Sequence, residues 1–146
     1  MRSTQYMESF EAHWGISGGI FQTIAGSQLR GMELPCPPRI SHELHLDEQG
    51  RAVLYEIEAK DQTKPIIVLA HGMGGCSESS YMKRISTKLW MRGYGVFLIN
   101  HRGSGPGMGL SSRLWNGGAS DDLAKMIDFV IQRNPGKFLV PIGFSL

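Results

Sequence analysis

PIIVLAHGMGG, residues 65–75, passes directly from an unbroken apolar run into a glycine-rich turn. Ile, Val and Leu without polar alternation are what a strand covered on both faces of a parallel sheet requires. GVFLIN (95–100) is a second run of the same kind. Between them, SESSYMKRISTKLWMRG places Tyr81, Met82, Ile85 and Leu89 at helical spacing, with Gly93 where a C-terminal cap is wanted. Together these segments predict a βαβ unit. Downstream, DDLAKMIDFVIQR sets Leu123, Met126, Ile127, Val130 and Ile131 on one helical stripe, with Ser120 as N-cap and Asp121 and Asp122 favourable in the first turn. Asn134-Pro135-Gly136 ends it, and KFLVPIGFS supplies a further apolar strand. Upstream, SHELHLDEQGRAVLYEIEA alternates apolar and polar residues on both sides of Glu48-Gln49-Gly50, a hairpin whose polar faces suit a sheet edge. The expected fold is α/β, an N-terminal hairpin followed by parallel βαβαβ units with right-handed crossovers.

Composition narrows the function. The 146 residues are 41% hydrophobic and 19% charged, an ordinary globular balance with room for one core. A net charge of +2 without a basic run offers nucleic acid or an anionic membrane no attracting field. The start, MRSTQYMESFEAHWG, lacks the apolar centre of a signal peptide, and no apolar run nears the ~18 residues of a membrane span, so the expected setting is cytoplasmic. Cys36 and Cys76 read as free thiols. The glycines at 103, 105, 107 and 109 do not satisfy the dinucleotide-binding pattern, and His42 and His45 fall on opposite faces of a strand, so neither cofactor nor metal is expected.

The chemistry concentrates in PIGFSL, residues 141–146. Gly143-Phe144-Ser145-Leu146 matches the G-x-S of a strand-to-helix turn that lifts a serine hydroxyl above a sheet. A G-x-S alone arises by chance about once per 200 positions. GISGG even completes the pattern at Gly15, Ser17 and Gly19, but no buried strand precedes it, and Ser17 reads as a turn serine. Only Ser145 follows a core strand. A serine nucleophile also needs backbone donors for the developing oxyanion. His71-Gly72 after the first buried strand resembles the HG-type oxyanion loop of α/β-hydrolases, which implies the Met73 N–H as one donor and the Leu146 N–H, following the nucleophile, as the other. His71 and Gly72, with Gly143, are read as shaping these loops. His101 also reads as structural, although it is the one other histidine close to the site.

GIFQTI (19–24), HGMGG, RGYGVFLINHRGSG, SDDL and PIGFSL occur in the order seen in the YheT-type esterases of the α/β-hydrolase superfamily, which residues ~15–146 resemble. Ile20 stands where that family has histidine, and His101 where it more often has phenylalanine. Pro141, unable to donate to a sheet ladder, suggests a bulge. The resemblance implies a Ser, Asp, His triad in that order, with Asp and His beyond the elbow and so outside this chain. It therefore implies an incomplete α/β-hydrolase fold: residues 1–40 carry the GIFQTI motif, and residues 41–146 form the N-terminal half of the hydrolase domain, truncated within the elbow. The implied function is that of a serine hydrolase on small-molecule or lipid-like carboxylic esters, inactive as this chain alone. The alternative is a non-catalytic remnant or interaction module that self-associates through an exposed sheet edge. Trp115 and Leu114 are candidates for the site mouth.

Overall fold

The computed structural model describes residues 14–15, 18–28 and 34–145, with backbone alone at 26–28. The chain forms two compact units, Met1–Met32 and Glu33–Leu146. In the first, GIFQTI opens helix α1 (Gly19–Gln28), an element absent from the strand-and-helix order read above. Gly18, at φ +88°, turns the chain into it, and Thr23 Oγ1 donates to the Gly19 carbonyl one turn back. Ser17 and His13 lie outside the described residues.

The second unit is a five-stranded sheet with one helix against each face. Its strands are β1 (Ile40–Asp47), β2 (Gly50–Ile57), β3 (Ile66–Ala70), β4 (Gly95–Ile99) and β5 (Leu139–Gly143), in spatial order β1-β2-β4-β3-β5. β1 and β2 form the antiparallel hairpin, β2 pairs antiparallel with β4, and β3 pairs parallel with both β4 and β5. β1 is one edge, as its polar faces suggest. β3 and β4 are central, which is why their apolar runs carry no alternation.

Side-chain alternation divides that apolar content between two cores. Leu54, Ile66, Val68, Phe97 and Ile99 face helix α3 (Ser120–Arg133), meeting Met126 and Val130. Ile57, Ile67, Leu69, Val96 and Leu98 face helix α2 (Ser80–Met91), meeting Met82, Ile85 and Leu89. α2 ends as its sequence requires: Gly93 adopts φ +94°, its N–H donates to Trp90 O, and the Tyr94 N–H reaches back to Leu89 O, a Schellman closure.

Three local expectations need correction. Ser120 is the first helical residue of α3, and Ala119 occupies the capping position without a side-chain bond. The buried stripe of α3 runs through Asp122, Met126 and Val130, which leaves Ile131 exposed, because Asp122 is drawn inward by an ionic partner described below. Pro141 makes no bulge. The β3–β5 register runs unshifted from Ile66↔Leu139 to Ala70↔Gly143, and a proline is tolerated there because β5 is paired on one side only among the described residues. No helix among the described residues is long and apolar enough to cross a membrane.

Candidate active site

The C-terminal ends of β3, β4 and β5 meet at one end of the sheet, and the loops leaving them form the candidate site. β5 continues its ladder one step beyond the strand, the Phe144 N–H donating to Ala70 O at 3.0 Å, and the chain then breaks direction at Ser145. Ser145 has φ +59°, the one positive φ at a non-glycine residue among those described. A left-handed serine is costly, of order 1 kcal/mol or more, and persists where surrounding structure imposes it. The Phe144 ring supplies part of that imposition, packing edge-on against Tyr81 of α2 at 5.1 Å. Ser145 is exposed.

The loop after β3 lies against this turn. A Cβ placed on Gly72 would sit 2.6 Å from Phe144 O and 3.0 Å from Ser145 Cβ, so only glycine permits the approach. The loop folds on itself through Gly75 N–H to Gly72 O, 3.0 Å, and the Gly72 N–H donates to the Tyr81 hydroxyl at 3.1 Å. Met73, at the loop tip, is 79% exposed, and its backbone N–H has no acceptor among the described residues. Gly143 closes β5 with open space where a Cβ would stand. Leu146 lies outside the described residues.

Two buried histidines tie the β3 and β4 loops together. His71 Nε2 accepts the His101 backbone N–H at 3.2 Å, so this nitrogen is bare and the ring proton sits on Nδ1, which donates to Gly72 O at 2.8 Å. His101 Nε2 donates to His71 O at 3.0 Å. Burial pushes the pKa of both rings below the usual histidine value, and His71 lowers that of His101 further. The two rings meet edge to face at 4.5 Å, and His101 stacks on Trp115 at 4.9 Å. Trp115 thus joins this loop cluster, while Leu114 is exposed and packs over Gly103. No hydrogen bond joins Ser145 to a histidine or carboxylate among the described residues.

The residue that sequence reading missed is Arg102. Its guanidinium is buried between two carboxylates, donating from Nε and Nη2 to Asp122 at 2.8 and 2.6 Å and from Nη1 and Nη2 to Asp47 at 2.9 and 2.8 Å. The clamp fastens the end of β1, the start of α3 and the loop after β4. Hydrogen bonding to Arg102 lowers the Asp47 carboxyl to about 2. Asp122 was legible as a first-turn acid. Its partner twenty residues upstream had no local signal.

A cavity of about 240 Å³ lies elsewhere, at the N-terminal ends of β3 and β4, lined by Glu56, Glu58, Gln62, Gly95 and Asn134 among others. It shares no residue with the loops around Ser145.

Comparison with known proteins identifies the family and the fold. The family model described as serine aminopeptidase, S33, matches residues 52–146. A zebrafish (Danio rerio) protein named monoacylglycerol lipase ABHD2 is 29% identical over 138 residues, covering 91% of this chain and 32% of that protein. A Saccharomyces cerevisiae monoacylglycerol lipase is 28% identical over 87 residues, covering 59% of this chain and 19% of its own length. The chain thus spans about a third or less of these relatives. Among solved structures, the Pyrococcus furiosus esterase Pf2001 superposes with a TM-score of 0.60 at 18% identity, covering 80% of this chain and 47% of the esterase. A protein of Agrobacterium tumefaciens described as a putative α/β hydrolase gives 0.57 at 21% identity, covering 73% and 49%. These two similarities establish the α/β-hydrolase fold.

Proposed function

The chain belongs to the α/β-hydrolase family described as serine aminopeptidase, S33, and from that membership we propose that it is the N-terminal part of a serine hydrolase acting on carboxylic esters. The observation that carries the reading is the left-handed Ser145 following β5, with the Gly72 loop pressed against it. In this mechanism Ser145 Oγ attacks the ester carbonyl carbon while a base takes the hydroxyl proton. The Met73 and Leu146 N–H groups stabilise the oxyanion. The base returns the proton to the departing alkoxide, and water then hydrolyses the acyl-serine by the same route. The base and its orienting acid come from residues outside this sequence. Both ring nitrogens of His71 and the Nε2 of His101 are committed to loop bonds, and His42 instead bonds Glu56 on β2. The 146-residue chain alone is therefore inactive in this reading. The relatives' names support a lipid-like ester as substrate.

A fluorophosphonate probe with peptide mapping tests the reading. In protein purified from its source cells the phosphonyl adduct is expected on Ser145 and absent after Ser145→Ala. A source protein that never carries the adduct there overturns it. A second reading, an interaction module that self-associates through the outer edge of β5, has support in the exposure of Phe138, Val140 and Ile142. That reading predicts a concentration-dependent dimer of the unlabelled chain in sedimentation.

A further inference from the structure

The two histidines are not used by the reaction proposed above, yet they are buried, mutually bonded and one peptide away from the proposed oxyanion donor. The carbonyl of Gly72 is held from two directions, by His71 Nδ1–H at 2.8 Å and by the Gly75 N–H at 3.0 Å. A trans peptide is planar, with its C=O and the following N–H pointing in opposite directions. Fixing Gly72 O therefore fixes the direction of the Met73 N–H. His71 can donate from Nδ1 in its neutral form only while Nε2 is bare, and what keeps Nε2 bare is the His101 N–H pointing at it from 3.2 Å. His101 is itself anchored by its Nε2–H bond to His71 O and by stacking on Trp115.

We infer that His101 is a positioning residue for the Met73 donor: its backbone N–H holds His71 as the neutral Nδ1–H tautomer, its side chain anchors the His71 carbonyl, and His71 in turn orients the Gly72–Met73 peptide. The inference rests on the ester-hydrolase reading for its purpose, but its geometry can be tested separately. It also makes the loop acid-sensitive. A second proton on His71 would sit on Nε2 and face the His101 N–H, donor against donor. Tyr81, whose hydroxyl receives the Gly72 N–H, and Asp122, which favours the charged form of His101 but is itself paired with Arg102, are titratable groups that bear on the pair. Because burial depresses both histidine pKa values, the linkage is complete above the ordinary histidine value of 6.5 and is lost as pH falls through the lowered folded-state values.

Long-range ¹H–¹⁵N imidazole spectra of the 146-residue chain at pH 7.5 should show His71 protonated on Nδ1 and His101 on Nε2. His101→Phe keeps a ring for Trp115 but removes the side-chain donor. The backbone N–H opposite His71 Nε2 survives, so the His71 tautomer should hold while the Met73 amide shifts, and His101→Gln, which restores an N–H donor, should recover much of that shift. In source-length protein, fluorophosphonate labelling of Ser145 should slow by about 10-fold or more in His101→Phe, since sub-ångström to 1 Å misplacements cost up to ~100-fold. His71 found as the Nε2–H tautomer in the wild type overturns the inference even where His101→Phe fails to fold. An unchanged Met73 amide in His101→Phe overturns it too. Expected spectra with no Ser145 labelling in any form support the His101–His71–Met73 linkage and defeat the ester-hydrolase reading instead.

Discussion

Gly72 and Gly143 flank the same serine, yet they carry different constraints. At Gly72 an added methyl would collide with backbone, Phe144 O at 2.6 Å, which no rotamer change can relieve. Gly72→Ala should therefore destabilise the 146-residue chain by about 1–3 kcal/mol in urea unfolding, the usual cost of overpacking, as the β3 loop is pushed off the elbow. Gly143→Ala meets open space in extended backbone and should be neutral or gain a few tenths of a kcal/mol through the unfolded state. Both glycines were legible as parts of motifs, and Ser145 as the one serine after a core strand. What sequence could not separate was the reason each glycine is there, because close approach between residues 72 and 144 exists only after the sheet has formed. The pairing of His71 with His101 was hidden for the same cause. Both lie at strand ends whose adjacency is set by the β3–β4 ladder.

Among the elements, α2, α3 and the five strands followed from periodicity, whereas α1 and the clamp that joins β1 to α3 did not. Arg102 brings β1, α3 and the β4 loop together through four charge-assisted bonds, and its guanidinium and Asp122 are both buried. Removing one member of a buried pair leaves an uncompensated charge. Arg102→Met should cost about 3–5 kcal/mol in urea unfolding, and Arg102→Lys a substantial part of that, since a lysine cannot engage two carboxylates in bidentate fashion. The same clamp gives an acid signature. Asp47 is held at about 2, below its ordinary 3.8, by Arg102, so its stabilising contribution is complete above the ordinary value and is lost as pH falls toward 2. The acid unfolding limb between pH 4 and 2 should be shallower in Arg102→Met than in the wild type.

For the molecule as a whole, the sheet divides stability from chemistry. β3 and β4 are paired on both sides and buried on both faces, whereas β5, which delivers Ser145, is mostly exposed and paired along one edge among the described residues. Amide exchange in the 146-residue chain should accordingly be slowest in Ile67–Leu69 and Val96–Leu98 and faster by orders of magnitude at Val140, Ile142 and Gly143. The proposed nucleophile thus rides on the least protected strand while its oxyanion loop is anchored to the most protected one. Elements that pack against β5 would hold the left-handed turn, and a base would complete the chemistry. In the ester-hydrolase reading proposed above, both lie outside these 146 residues. The 146-residue chain should therefore react with a fluorophosphonate at Ser145 at least ~10³-fold more slowly than source-length protein, since a triad lacking its base loses most of its rate even where oxyanion donors remain. Equal rates in the two would mean that a group within these 146 residues serves as the base. His101 would then be the first to replace, because its position just after β4 brings it to the site and no described bond occupies its ring Nδ1.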